Sequence, residues 1–194
     1  MAKIRRAWEL FRTRLLWGAR FQKLGRRATL GRSRLVRNPG TISIGEYTSI
    51  QEGWVLADLE PTMTGDGPKI RIGSYCSIQH DFQCNARLSV EIQDYVLMAP
   101  RVFITDSDHV VGVEHTTLCR EFKSAPVIIE HDCWVGVNAV IVKGVRVGHH
   151  SIVGANTVVT RSVPPHSVVV GSPGRVLTRN SAEAQKVRKA VVAQ

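Results

Sequence analysis

The segment between Ile104 and Ile129 holds the side chains best suited to chemistry. It reads TDSDHVVGVEHTTLCREFKSAPVI and interrupts a chain whose regular part is mostly aliphatic and small. His109 is its strongest candidate, because a neutral imidazole, with an ordinary pKa of about 6.5, accepts a proton from a hydroxyl at neutral pH. The alternative interpretation of His109 is a solvated loop histidine.

Two aspartates close to His109 offer its ring an orienting partner. Either Asp106 or Asp108 can accept a hydrogen bond from the ring, as a carboxylate does in a catalytic triad, or can simply bind solvent. The sequence leaves the choice between the two carboxylates open.

The elements that must position these residues follow a period of six. From Ile129 an aliphatic residue recurs without a break, and a small or branched residue follows each one four positions later. The first set is Ile129, Val135, Ile141, Val147, Val153 and Val159, and the second is Cys133, Ala139, Val145, Ser151, Thr157 and Val163. Shorter runs with the same spacing occur at Ile44, Ile50 and Leu56, at Ile72, Ile78 and Cys84, and at Ile92, Met98 and Ile104.

A period of six does not fit a helix of about 3.6 residues per turn, whereas short strands joined by tight corners accommodate it. The pattern therefore predicts a β-solenoid whose stacked coils direct the repeated residues inward. Residues 105–128 become a loop excursion from this scaffold, and such insertions commonly carry function. His131, His149 and His150 fall between inward positions, so we expect them at corners that face water.

The formal net charge of +10 is concentrated at the N-terminus. Residues 1–40 contain twelve basic residues and one acidic residue, whereas residues 41–194 contain 14 basic and 15 acidic residues. Because the body has no basic excess, we expect no nucleic-acid partner. Within residues 4–24, Ile4, Trp8, Phe11 and Leu15 recur at helical spacing, which predicts an amphipathic helix that either lies on an anionic membrane or packs against the first coil.

The four cysteines, at positions 76, 84, 119 and 133, form no C-x-x-C motif, so they predict small reduced core residues and neither a zinc site nor a disulfide framework. No apolar run approaches the roughly 20 residues needed to span a bilayer. The N-terminus also lacks the features of a signal peptide, so a cytoplasmic location is expected.

The stretches IGSYCSIQ and WVGVNAVIVKGVRVGHHSIVGANTVVTRSVPPHSVVVGSPGRVL resemble the hexapeptide-repeat acyltransferases. The resemblance is to the sugar and polysaccharide O-acetyltransferases related to maltose, galactoside and xenobiotic acetyltransferases. It implies an all-β fold, a left-handed parallel β-helix over residues 41–178 with three hexads per coil, and a homotrimer. A basic leader, residues 1–40, would precede this domain, and a tail with a short helix, residues 179–194, would follow it.

The resemblance also implies direct acetyl transfer from acetyl-CoA to a sugar hydroxyl, with His109 as general base and no metal. The acceptor would be a polysaccharide, a lipid-linked glycan at the inner face of the membrane, or a small saccharide. Positions that match the family's acyl-CoA contacts are Trp134, Gly136, Val137, Lys143, Gly154, Ala155, Thr160, Arg161 and Arg175. Acceptor contacts are expected from His80, Asp81 and His115.

Three alternatives share the same scaffold. The first is N-acetylation of a nucleotide-linked amino sugar. The second is a metal enzyme similar to the γ-carbonic anhydrases, with His80, His109 and His115 meeting around zinc across a subunit junction. The third is a solenoid without catalytic activity that binds partner proteins.

Overall fold

The computed structural model describes residues 2–60, 67–110 and 121–177, which wind into a three-sided parallel β-helix. Each of six coils contributes one strand to each of three sheets. The first sheet contains β1 (Lys23–Leu24), β4 (Ile42–Ile44), β7 (Ile70–Ile72), β10 (Val90–Ile92), β15 (Val127–Ile129) and β18 (Arg146–Val147). The second contains β2 (Thr29–Leu30), β5 (Ser49–Ile50), β8 (Ser77–Ile78), β11 (Leu97–Met98), β16 (Trp134–Val135), β19 (Ile152–Val153), β21 (Val168–Val170) and the antiparallel β22 (Arg175–Leu177). The third contains β3 (Ser33–Arg37), β6 (Trp54–Asp58), β9 (Gln83–Ala86), β12 (Phe103–Thr105), β17 (Val140–Ile141) and β20 (Val158–Val159).

Three edges run along the β-helix where the chain turns between sheets. We call them the first edge, between the first and second sheets, the second edge, between the second and third, and the third edge, between the third and first. The hairpin of β13 (Ser107–His109) and β14 (Phe122–Ser124) leaves the β-helix at the third edge, between β12 and β15.

The six-residue pattern is confirmed by the interior of the β-helix. The aliphatic residues from Ile129 to Val159 are at most 1% exposed, and the residues that follow them by four positions are also buried. Successive side chains of a strand point to opposite faces, so a two-residue strand can direct one residue inward and its neighbour to solvent.

The β-helix begins at Lys23, so the predicted boundary at residue 41 is wrong. Strands β1, β2 and β3 form a complete first coil, because they pair in parallel with β4, β5 and β6. A short 3-10 helix, Pro39–Thr41, joins this coil to the second. Part of the basic leader therefore belongs to the folded domain.

Helix α1 (Ala2–Trp17) covers the open end of the first coil with one of its faces. The hydroxyl of Thr13 accepts a hydrogen bond from the Leu30 amide at 2.9 Å, and the Trp17 ring lies 5.6 Å from the buried ring of Trp54. These contacts cover the open end of the first coil. Packing against the first coil was one of the two roles predicted for this helix. Within the described residues, no helix combines the length and apolar character needed to cross a lipid bilayer.

Three of the predicted core cysteines, Cys76, Cys84 and Cys133, are buried free thiols. Burial raises the pKa of Cys76 and of Cys133 to about 11, and it raises that of Cys84 as well. Cys119 and the predicted tail, residues 179–194, lie outside the described residues.

Candidate functional site

The hairpin of β13 and β14 carries His109 at the third edge. Its two strands pair antiparallel, which places His109 opposite Phe122 and Asp108 opposite Lys123. The amide of Ala125 donates to the carbonyl of Asp106 at 2.9 Å and closes the base of the hairpin. The two strands of the hairpin are therefore held together where the chain leaves the β-helix and where it returns.

Asp106 anchors the base of this hairpin. It is fully buried, and its two carboxylate oxygens accept hydrogen bonds from the backbone amides of Arg87, at 2.8 Å, and Leu88, at 2.7 Å. A buried carboxylate needs such donors to offset its lost hydration. Both oxygens are directed at the turn formed by Arg87 and Leu88. Asp106 therefore does not orient the His109 ring, although the sequence had offered it for that role.

Asp108 is exposed and forms an ion pair with Lys143, which follows β17 in the next coil. Alternation along β13 directs the side chains of Asp108 and His109 to opposite faces of the hairpin. In the described part of the chain, Asp108 is paired with Lys143 and has no hydrogen bond with the His109 ring. Lys143, expected to meet acyl-CoA, lies beside the hairpin that carries the candidate base.

The exposed imidazole of His109 is positioned by an aromatic contact. Its ring centroid lies 4.3 Å from that of Phe122, at an interplanar angle of 45°. The guanidinium of Arg87 lies 3.6 Å from the Phe122 centroid, and it also donates to a carboxylate oxygen of Glu60 at 2.6 Å. Packing and a cation–π contact, in place of a carboxylate, thus fix the ring.

Arg87, Phe122 and Glu60 were not predicted from the sequence. They come from three different breaks in the repeat, and no spacing in the sequence relates them to one another. The same edge also contains the buried ion pair of Lys69 and Asp58, with 3.4 Å between Nζ and Oδ1. The third edge is therefore richer in charged contacts than the hairpin alone suggested.

Four of the nine predicted acyl-CoA positions lie on the second edge. Gly136, Val137, Gly154 and Ala155 form the corners there, between β16 and β17 and between β19 and β20. A Cβ atom on Gly136 would come within 2.6 Å of the Ala155 amide nitrogen, so stacking of the coils already requires a glycine.

The other predicted acyl-CoA positions are dispersed. Thr160 and Arg161 are exposed on the third edge, after β20 and near the C-terminal end of the β-helix. Lys143 lies on the same edge, one coil earlier. Trp134 is half-buried in β16, and Arg175 is exposed in β22. A single chain does not gather these residues and the second-edge corners into one groove.

His80 and Asp81 form a hydrogen-bonded pair on the second edge, with 2.9 Å between Nδ1 and Oδ2. His109 lies on the third edge, so the length of a strand of the third sheet, about 15 Å at roughly 3.3 Å per residue, lies between the two edges. His115, the remaining predicted acceptor contact, lies outside the described residues. Because His80 and His109 lie on different edges of one chain, the zinc alternative requires that these two histidines come from neighbouring subunits.

The histidines expected at water-facing corners form a column on the first edge. The rings of His131 and His149 stack at 5.0 Å, and those of His150 and His166 also stack at 5.0 Å. Burial raises the pKa of the nearby Glu130 carboxyl, but hydrogen bonds from the His149 amide and ring, and from Arg146, outweigh it and lower that pKa overall. The spacing of 18 residues between His131 and His149, equal to one coil, is the sequence signal for this stacking.

Comparison with known proteins finds similarity to acyltransferases. Residues 126–161 match the family model described as the hexapeptide repeat of succinyl-transferase. Galactoside O-acetyltransferase of Escherichia coli is 36% identical over 113 residues, which cover 54% of this chain and 54% of the relative. This chain spans about half the length of the curated relatives it matches, 48% and 54% for two of them.

Solved structures share the fold over most of the chain. AntD, an N-acyltransferase from Bacillus cereus in complex with dTDP and 3-hydroxybutyryl-CoA, superposes with a TM-score of 0.76 at 20% identity, covering 95% of this chain and 97% of that one. A hexapeptide-repeat acetyltransferase from Vibrio cholerae, complexed with acetyl coenzyme A, gives a TM-score of 0.61 at 25% identity, covering 90% and 82%. These likenesses confirm the predicted left-handed β-helix.

Proposed function

Because the chain belongs to the hexapeptide-repeat acetyltransferase family, we propose that it transfers an acetyl group from acetyl-CoA to a hydroxyl group of a saccharide. The observation that carries the proposal is the placement of His109. Its exposed ring is held by Phe122 on an anchored hairpin of an otherwise aliphatic scaffold. The acceptor is a polysaccharide, a lipid-linked glycan or a small saccharide.

The reaction proceeds by direct transfer. An unprotonated ring nitrogen of His109 accepts the proton of the sugar hydroxyl while the oxygen attacks the thioester carbonyl. Backbone amides stabilise the oxyanion of the tetrahedral intermediate, which collapses as the carbon–sulfur bond breaks. The proton held by His109 passes to the departing thiolate, so the ring returns to its starting state and CoA leaves as the thiol.

The edges that carry the proposed site residues point to an assembly of several copies. His109 and Lys143 lie on the third edge, whereas His80, Asp81 and the glycine corners lie on the second. A rigid β-helix cannot bring two of its own edges together. We propose that the third edge of one subunit meets the second edge of its neighbour in a cyclic trimer, so that donor and acceptor lie between subunits.

A second candidate acceptor is the amino group of a nucleotide-linked sugar. The superposition with AntD, whose complex contains dTDP, is the observation that favours it. An amine acceptor also loses a proton during acylation, so His109 would serve the same function in both reactions.

Helix α1 is proposed to hold the enzyme at an anionic membrane surface. Its face away from the first coil exposes Trp8, Phe11 and Leu15, which are 62%, 58% and 71% exposed. The surrounding leader is strongly basic, and each cation close to an anionic surface contributes about 1 kcal/mol. This location suits a lipid-linked glycan as acceptor.

Turnover of acetyl-CoA with a panel of saccharides and nucleotide-linked amino sugars tests the proposal. His109→Ala should lower kcat by about 10²- to 10⁴-fold, the contribution of a general base. Ser124→Ala, which alters an exposed polar side chain of the same hairpin, should leave the rate unchanged.

Wild-type turnover in the His109→Ala variant, with an intact thermal unfolding transition, would show that His109 is not the base. If the wild-type chain neither binds acetyl-CoA nor acetylates any acceptor, the scaffold alternative applies instead. Faster turnover of amino sugars than of neutral saccharides would select N-acetylation.

A further inference from the structure

The first edge carries a compact group of metal-ligating side chains far from the His109 hairpin. One ligand atom each from His131, Asp132 and His150 lies within 4.8 Å of the other two. The Oδ2 atom of Asp132 lies between two imidazoles, 2.8 Å from Nδ1 of His131 and 4.0 Å from Nδ1 of His150. The three side chains are 41 to 47% exposed, so an ion can reach them from solvent.

The spacing of these atoms is close to that of a first coordination sphere. Zinc binds imidazole nitrogen at about 2.0–2.1 Å, so neighbouring ligands of a tetrahedral ion lie roughly 3.3 Å apart. Small rotations of the side chains would bring separations of 2.8 to 4.8 Å to that value. Three protein ligands would leave a fourth position for water, as in open zinc sites.

The surrounding rings hold the two imidazoles in place. His149 stacks on His131 with an interplanar angle of 10°, and His166 stacks on His150 with an angle of 23°. His149 is itself fixed by Glu130, which accepts from its amide at 2.7 Å and lies 3.0 Å from its Nδ1. A metal site gains affinity from such support around its ligands.

The backbone places the ligands in register. Asp132 and His150 occupy corresponding corners of successive coils, both with positive φ, of 56° and 54°. The amide of His150 donates to the carbonyl of His131 at 3.2 Å, which fixes the vertical spacing of the two histidines. Rigid coil stacking, and not a flexible loop, therefore sets the separation of the ligands.

A cavity of about 380 Å³ opens beside this group. His131 and Asp132 contribute to its wall together with Arg71, Asp94 and Tyr95. The open coordination position of an ion at this corner can thus be reached by water or a small anion.

We propose that His131, Asp132 and His150 bind one divalent transition-metal ion of the zinc class. Two imidazoles and one carboxylate suit zinc, nickel, copper or cobalt and disfavour magnesium and calcium, which prefer oxygen ligands. The first edge is distinct from the third edge that carries His109, so this ion would stabilise the folded chain and would take no part in proton transfer. Because the ion binds the folded state, its addition should raise the melting temperature.

Isothermal titration of the full chain with Zn²⁺ tests the site, after treatment with a chelator and without a polyhistidine tag. We expect one ion per chain and a higher melting temperature with Zn²⁺. His131→Ala and His150→Ala should each weaken binding by at least about tenfold. Cobalt substitution should give the strong visible absorption of a four-coordinate ion, whereas weak absorption would overturn the proposed ligand set.

The chain provides a matched control on the second edge. His80 and Asp81 form the same histidine–aspartate pair, at 2.9 Å, and Asp81 has the same positive φ, of 60°. In the described residues this pair has no second imidazole in ring contact, so His80→Ala should leave Zn²⁺ binding unchanged. The proposal is overturned by absence of Zn²⁺ binding to the wild-type chain, by binding that survives both first-edge substitutions, or by equal loss in His80→Ala.

Discussion

Lys143 and Asp108, separated by 35 residues, form an ion pair that ties the His109 hairpin to the following coil. The pair lies on the hairpin face opposite His109, so it can control where β13 lies without touching a substrate bound at the imidazole. Lys143 is 30% exposed at its side chain, and Asp108 is 48% exposed. An ion pair of this exposure contributes little to global stability, about 0 to 1 kcal/mol.

We expect Lys143→Ala and Asp108→Asn to lower kcat by similar factors of about three to ten, because each releases the same connection. The double variant should be no worse than either single variant, since residues that act through one contact are not additive. Steady-state kinetics with acetyl-CoA as the varied substrate measures both effects.

A phosphate contact by Lys143 would behave differently. Lys143→Ala would then raise KM for acetyl-CoA, Asp108→Asn would not, and the double variant would show the sum of the two effects. That pattern would return Lys143 to its predicted position in the donor site.

Asp106 should be far more important for stability than Asp108. Asp106→Asn replaces one of two buried acceptor oxygens by an NH₂ group that faces a backbone amide, and an unsatisfied buried donor costs about 1–3 kcal/mol. Urea unfolding should show that loss for Asp106→Asn and less than about 1 kcal/mol for the exposed control Asp108→Asn. Equal stability of the two variants would mean that the turn at Arg87 and Leu88 does not depend on the carboxylate.

The repeat and the interior of the β-helix were predictable because a two-residue alternation within each hexad decides which side chains face inward. The first coil was missed although Leu24, Leu30 and Val36 keep the spacing of six. Arginines occupy a corner of this coil, at Arg26 and Arg27. Their charge led to the prediction of a basic leader in place of a coil.

The contacts of the candidate site were not predictable in the same way. The carboxylate of Asp106 binds a turn 19 residues earlier, and Phe122 reaches Arg87 from the other strand of the hairpin. Such contacts depend on how an excursion folds back on a rigid edge, which no periodicity encodes. Proximity in sequence suggested that an aspartate orients His109, whereas an aromatic ring does so.

The proposed assembly predicts complementation between two inactive variants. His109→Ala lacks the third-edge base, and His80→Ala lacks a second-edge acceptor contact. In trimers formed from an equal mixture, about a quarter of the interfaces would combine an intact His109 from one subunit with an intact His80 from the next.

Co-expression of the two variants, followed by purification and an acetyltransfer assay, should therefore recover about a quarter of wild-type activity. Each variant expressed alone gives the background. Activity that stays at the average of the two single variants would place both histidines in separate sites, or the chain in a monomer.

The three buried thiols should be inert in the folded protein. With the pKa of Cys76 and Cys133 raised to about 11 by burial, roughly one thiol in a thousand is ionised at pH 8, and only the thiolate reacts. In a Cys119→Ser background, Ellman's reagent should label no thiol of the native chain and three in guanidinium chloride. Rapid labelling of the native chain at pH 8 would contradict the buried placement.

Helix α1 should have two separable functions, one for each face. Trp17→Ala removes the ring that contacts Phe21 and Trp54, so it should lower the free energy of unfolding by about 2 kcal/mol.

Simultaneous replacement of Trp8, Phe11 and Leu15 by alanine removes side chains that are at least 58% exposed, so it should leave the free energy of unfolding nearly unchanged. The same triple variant should bind phosphatidylserine-containing vesicles at least about tenfold more weakly in a sedimentation assay, because apolar insertion and cationic attraction act together. Neutral phosphatidylcholine vesicles are the control for charge, and vesicle binding unchanged by the triple substitution would assign the exposed face to something other than a membrane.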